Sequence, residues 1–137
     1  MPLPWLTKAR LIGKCLDGNF QETEVLFNVA IEKLLAWIKV SISKYNCPQI
    51  LLGHADVNGA FAASGYQLVG RNFSLTSTQI QDLGCDMALL GHVHKRQGFY
   101  IGAPWQLSFG DQDNPGGYLL LEVKNGKLID QGYRNIE

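Results

Sequence analysis

The chain has 137 residues, with twelve Lys plus Arg balanced by twelve Asp plus Glu. An apolar share of 46% and a charged share of 18% belong to a globular protein and exclude a disordered chain. Zero net charge excludes a global basic field, so any nucleic-acid surface has to be local. At this length one domain, residues 1–137, is expected, burying roughly two-thirds of its unfolded surface. Cys15, Cys47 and Cys85 form no CxxC pair, and an odd count without a secretory leader reads as reduced thiols in a cytoplasmic protein. No apolar leader core and no run of about 18 apolar residues occurs, so a membrane partner is not expected.

In chain order, the opening to about Gly18 is expected to be irregular, since Pro2 and Pro4 block a regular start. Asn19 followed by Glu22 has the spacing of a helix N-cap with a reciprocating carboxylate. Apolar residues then recur at Phe27, Ile31, Leu34, Leu35, Ile38 and Ile42, predicting a helix over about residues 20–45, ended by Asn46 and Pro48. The run Gln49-Ile50-Leu51-Leu52 before Gly53-His54 predicts a strand buried on both faces. Residues 64–70 read as loop, and 76–83 as two turns of helix stopped by Gly84. Asp86-Met87-Ala88-Leu89-Leu90 before Gly91-His92 repeats the strand pattern. After Gln97 short strands are expected at 99–101, 106–109, 118–123 and 127–133. Asn114-Pro115-Gly116-Gly117 signals a turn, and Asn125-Gly126 signals a hairpin. The fold class expected is mixed α/β.

All three histidines follow a strand that ends in glycine: His54 in ILLGH, His92 and His94 in ALLGHVH. Ligands of parallel α/β sheets bind outside the carboxyl ends of strands, where these residues fall. Gly53 and Gly91 are expected to let the backbone turn sharply there. Residues two apart in extended chain point to one side, so His92 and His94 can converge on a metal ion. The plainer reading of any one of them is an ordinary hydrogen-bonded histidine; the repeated pattern favours ligands. Asp56, Asp82, Asp86, Asp111 and Asp113 are available oxygen donors, although carboxylates near turns usually cap or solvate. Lys95 and Arg96 are placed to meet a phosphate, with solvated surface charge as the plainer reading. Tyr100 and Trp105 are expected to be core or sheet-face aromatics. There is no Gly-rich phosphate loop and no GxSxG elbow, and no catalytic residue is assigned from the pattern.

The segments ILLGHADVNGA, DMALLGHVHKRQ and YIGAPWQLSFGDQDNPGGYLLLEV resemble the C-terminal half of calcineurin-like metallophosphoesterases. GH followed by GHxH marks the wide superfamily. GAPWQLSFGD, then GGYLLLEV, and LPWL near the start are similar to its SbcD-type DNA repair nuclease branch. The resemblance implies a four-layer α/β sandwich with two metal ions, commonly manganese, at the strand ends. It implies that His54 and His92 share one ion and that His94 holds the other. It also implies metal-dependent hydrolysis of DNA phosphodiesters as an exonuclease, and an SbcC-like ATPase partner.

The chain departs from that family in lacking DxH, GDxxD and GNHD or GNHE, which supply the bridging aspartate, an asparagine ligand and a histidine beside the leaving group. A truncated, split or degenerate member is therefore expected, inactive without a complementing N-terminal half. Manganese favours oxygen donors, whereas imidazoles alone suit a single zinc or nickel ion. The absent half is also expected to leave a sheet edge and an apolar face exposed, which a partner or a homo-oligomer would cover. Two other functions compete with this reading: a non-catalytic metal-binding or interaction module, and another phosphoesterase such as a phosphatase or nucleotide phosphodiesterase.

Overall fold

The computed structural model describes residues 2–3, 20–67 and 74–136. The helical spacing of apolar residues gives helix α1 (Phe20–Ile42), preceded by the short strand β1 (Pro2–Leu3). Strands β2 (Ile50–His54), β3 (Asp56–Val57) and β4 (Ser74–Leu75) follow, then helix α2 (Ser77–Gln81) and strand β5 (Met87–Gly91). A single 3-10 turn at Phe109–Asp111 leads to the long strands β6 (Gly117–Lys124) and β7 (Lys127–Asn135). The architecture is mixed α/β. The expected cap at Asn19, the thiol of Cys15 and the end of the 64–70 loop lie outside the described residues.

β1, β2 and β5 form a parallel sheet in that order, with Leu52 opposite Leu89, Gly53 opposite Leu90 and His54 opposite Gly91. β3 pairs with β4 in parallel, and β6 with β7 antiparallel. Phe27, Ile31, Leu35, Ile38 and Ile42 of α1 share one buried cluster with Leu3, Leu51, Leu75, Ile80 and Leu90. α2 is capped as its sequence dictates: Thr76 accepts from the Gln79 backbone while Gln79 reaches back to the Thr76 backbone. The hairpin turns at Asn125 and Gly126, both with positive φ (52° and 71°), as a two-residue loop between twisted strands requires.

Several expectations are corrected. The opening segment is not wholly irregular, because Pro2 and Leu3 pair in parallel with Leu52 and Gly53. Proline at the first residue of an edge strand removes no ladder bond that the sheet needs. β2 is not buried on both faces: Leu51 is 0% exposed and its neighbour Leu52 is 52% exposed. No strand forms at 99–101, where Tyr100 makes only isolated bridges to Leu90 and Gln97. None forms at 106–109 either, because the backbone N–H groups of Leu107 and Ser108 donate to the Asp111 carboxylate rather than to a ladder. Tyr100 is a core residue as expected, but Trp105 stands mostly exposed.

Tyr100 fixes the chain just beyond His54. Its hydroxyl donates to the Ala55 carbonyl (2.8 Å) and accepts from the Val57 N–H (2.7 Å), all three residues being buried. Burial pushes the hydroxyl up to about 12, with the nearby Asp56 charge adding to the rise against the Val57 hydrogen bond. A raised phenol stays neutral in the fold while the unfolded chain ionises near 10, so its stabilisation is complete below pH 10 and is lost as pH rises towards 12. Tyr100→Phe is expected to cost about 1–3 kcal/mol at neutral pH, since it leaves a buried donor and acceptor unpaired. It should also flatten the alkaline loss of stability. Urea midpoints at neutral pH and at pH 10 to 12, for parent and variant, check both.

Candidate metal centre

His54 is the last residue of β2, and His92 directly follows β5. Their rings lie 5.2 Å apart between centroids at 66°. The glycines make this approach possible, but not by the expected sharp turn, since neither Gly53 nor Gly91 has a positive φ. They act through the space they leave. A Cβ on Gly91 would lie 3.0 Å from His54 Nδ1, and one on Gly53 would lie 2.9 Å from Leu90 Cδ2. The turn itself is made by His92, whose φ of 92° is in the left-handed region that side-chain-bearing residues avoid.

Each histidine of GHVH has a carboxylate of its own. His92 Nε2 lies 2.7 Å from Asp56 Oδ1, and His94 Nδ1 lies 3.1 Å from both oxygens of Asp111. Asp56 and Asp111 are the buried charged residues among those described. Asp111 Oδ2 also accepts from Leu107 N, Ser108 N and Ser108 Oγ. Burial raises the Asp111 carboxyl, but the hydrogen bonds from His94, Ser108 and Leu107 outweigh it and hold the group below the usual carboxylate range. The His94 carbonyl accepts from Ala103 N at 2.9 Å and Asn114 Nδ2 at 2.6 Å, so both ends of the residue are fixed. With Nδ1 turned to Asp111, Nε2 is the His94 nitrogen left to face a metal or a phosphate. His54 is pushed below its ordinary value by burial and by the neighbouring His92, against the pull of Asp56, which favours the neutral ring a metal needs.

His92 and His94 line a shallow pocket of about 250 Å³ with residues 62–64, Ser108, Gly110 and Asp111. A larger groove of about 790 Å³, bordered by Asn46, Cys47, Asp86 and Lys127, lies at the other end of the sheet. Lys95 is exposed. Arg96 stacks 4.1 Å over the Tyr133 ring and borders the space between β5 and the hairpin, not the pocket of His92 and His94. Asp56 and Asp111 are the residues that sequence reasoning set aside. The available signal was the spacing of HAD, which carries Asp56 two residues beyond His54 in an extended segment.

The donors do not fit a two-ion centre. They are arranged as two separate His–Asp pairs, and no three His, Cys, Asp or Glu side chains converge on one point among the described residues. A pair of ions about 3.5–4 Å apart needs bridging carboxylates, and Asp111 is already committed to four donors.

The SbcD component of the nuclease SbcCD from Staphylococcus saprophyticus is 28% identical to this chain over 110 residues. The similarity to SbcD is distant. The match covers 74% of this chain, and the chain spans about 28% of the length of that SbcD relative. No protein-family model matches the chain. No helix among the described residues is long and apolar enough to cross a membrane.

Asp111→Ala should release the His94 ring from its single tautomer. Long-range proton–nitrogen spectra of the parent are expected to show His94 protonated at Nδ1, and those of the variant a mixture. An unchanged His94 pattern in the variant would contradict the role given to Asp111.

Proposed function

We propose that this chain is the histidine-bearing C-terminal part of an SbcD-type, metal-dependent phosphodiesterase, and that it does not hydrolyse phosphodiesters unaided. The observation that carries the reading is the meeting of His54 and His92 at the ends of adjacent parallel strands. The distant similarity to an SbcD protein supports the same class. In such a centre His54, His92 and His94 would be ligands, and a bound metal would supply a polarised phosphoryl oxygen and an activated water. The residues of this chain perform the orienting work. Asp56 holds His92 against its strained backbone, and Asp111 aims His94 Nε2 outward. Lys95, exposed and next to His94 in the chain, would be the cation to meet a substrate phosphate, whereas Arg96 would first have to leave Tyr133. DNA as substrate, manganese as the family's metal, an SbcC-like ATPase as partner and the four-layer sandwich of the assembled domain all belong to this proposal.

A second reading is a non-catalytic module derived from the fold. It is favoured by one observation: His92 and His94 each face a carboxylate, and the donors stay apart.

The test is turnover of linear duplex DNA and of a chromogenic phosphodiester in manganese. The pure chain is assayed alone and with a separate polypeptide carrying DxH, GDxxD and GNHD. The expected result is no turnover alone and turnover on mixing that is lost in His92→Ala. Robust activity of the chain alone, abolished in His92→Ala, would overturn the proposal. Inactivity of the mixture would favour the module.

A further inference from the structure

We propose that Gln97 is a positioning residue for the histidine pocket: it clamps the loop of residues 61–67 in place as one wall of that pocket, and so governs how tightly a phosphodiester is held there. The inference rests on the function proposed above. The loop closes on itself. Ala62 N donates to the Tyr66 carbonyl, Gly65 N donates to the Ala62 carbonyl, and Phe61 forms an antiparallel bridge with Gln67. Its tip, Ala62, Ala63 and Ser64, lines the pocket together with His92 and His94. Its aromatic rings do not anchor it in the core, since Phe61 is 44% exposed and Tyr66 is 78% exposed.

Among the described residues, the hydrogen bonds from this loop to the rest of the chain are those of Gln97. Its Oε1 accepts from Phe61 N at 3.0 Å, and its Nε2 donates to the Phe61 carbonyl. A primary amide carries an acceptor and donors side by side, so one side chain serves both backbone groups of Phe61 as a strand neighbour would. Gln97 is fixed in turn. Its backbone exchanges hydrogen bonds with Tyr100, whose hydroxyl holds Ala55 and Val57. One turn, residues 97–100, thus grips both ends of the segment that follows His54. Gln97 also lies just beyond His94 in the chain, so the stretch that brings His92 and His94 to the pocket holds its wall as well. Ser108 and Asp111, which also line the pocket, are held separately by the Asp111 carboxylate. Ala62, Ala63 and Ser64 carry no group that ionises at neutral pH, so this wall acts on binding and not on proton transfer or charge at the reacting atoms.

Two readouts on the full chain test this. In the chain alone, Gln97→Ala and the similarly sized Gln97→Met should each speed amide exchange at Phe61 by about tenfold, the scale of one or two hydrogen bonds. Circular dichroism checks that the fold is retained. In the mixture with the polypeptide carrying DxH, GDxxD and GNHD, both variants should raise KM for a chromogenic phosphodiester by about tenfold and leave kcat within about threefold. Exchange at Phe61 that ignores both variants overturns the clamp. A KM that ignores them, or a fall confined to kcat, overturns the positioning role while the function proposed above stands. A parent mixture without turnover overturns that function and the substrate role of Gln97 with it, and exchange at Phe61 still decides the clamp.

Discussion

The structure depends on the absence of two Cβ atoms where β2 and β5 run side by side. Gly53 lies against Leu90 and Leu3, and Gly91 lies against the His54 ring, so closely that a Cβ at either position would make these side chains shift. Because of this the strands stay in register to their ends, with His54 opposite Gly91, and the next residue, His92, is delivered beside His54. His92 holds a left-handed φ, a conformation that costs roughly 1–3 kcal/mol for such a residue unless its surroundings enforce it. The enforcing contacts are the 2.7 Å approach of Asp56 and the tethering of the segment around Asp56 by Tyr100. Core packing, strand ends and candidate ligands are therefore one arrangement, and a change at either glycine is transmitted to all of it.

The second organising group is the Asp111 carboxylate, which gathers donors from residues 107 and 108 and from His94. Burying a charge is costly unless it is well paired, and here the pairing replaces a strand that the sequence pattern predicts. The result is a fixed loop facing the histidines rather than a further sheet edge. Exposed apolar residues remain elsewhere, on α1 and on the hairpin at Tyr118, Leu120 and Val123. Large exposed apolar surfaces tend to mark contacts.

Much of this was legible in the sequence. The period of α1, the capping box at Thr76, the repeated run-Gly-His pattern and the Asn125-Gly126 hairpin depend on local spacing and local turn chemistry. The pairs Asp56–His92 and Asp111–His94 were not legible. They join residues 36 and 17 positions apart (92 − 56 and 111 − 94) through side chains whose local pattern is that of ordinary turn carboxylates. The strands expected at 99–101 and 106–109 fail to form for a related reason. Tyr100 is anchored through its hydroxyl, and Leu107 and Ser108 through a carboxylate beyond the expected strand. The role of Gly53 and Gly91 was not legible either, because a glycine's need for space and its need for a positive φ look alike in sequence.

The central proposal is that His54, His92 and His94 belong to a metal centre that this chain does not complete as a two-ion site. Calorimetric titration of the metal-free chain with zinc, repeated with manganese and with His54→Ala and His92→Ala, tests it most directly. The account predicts one zinc bound per chain, lost in both variants, and no paired manganese. Two manganese ions bound per chain would contradict it.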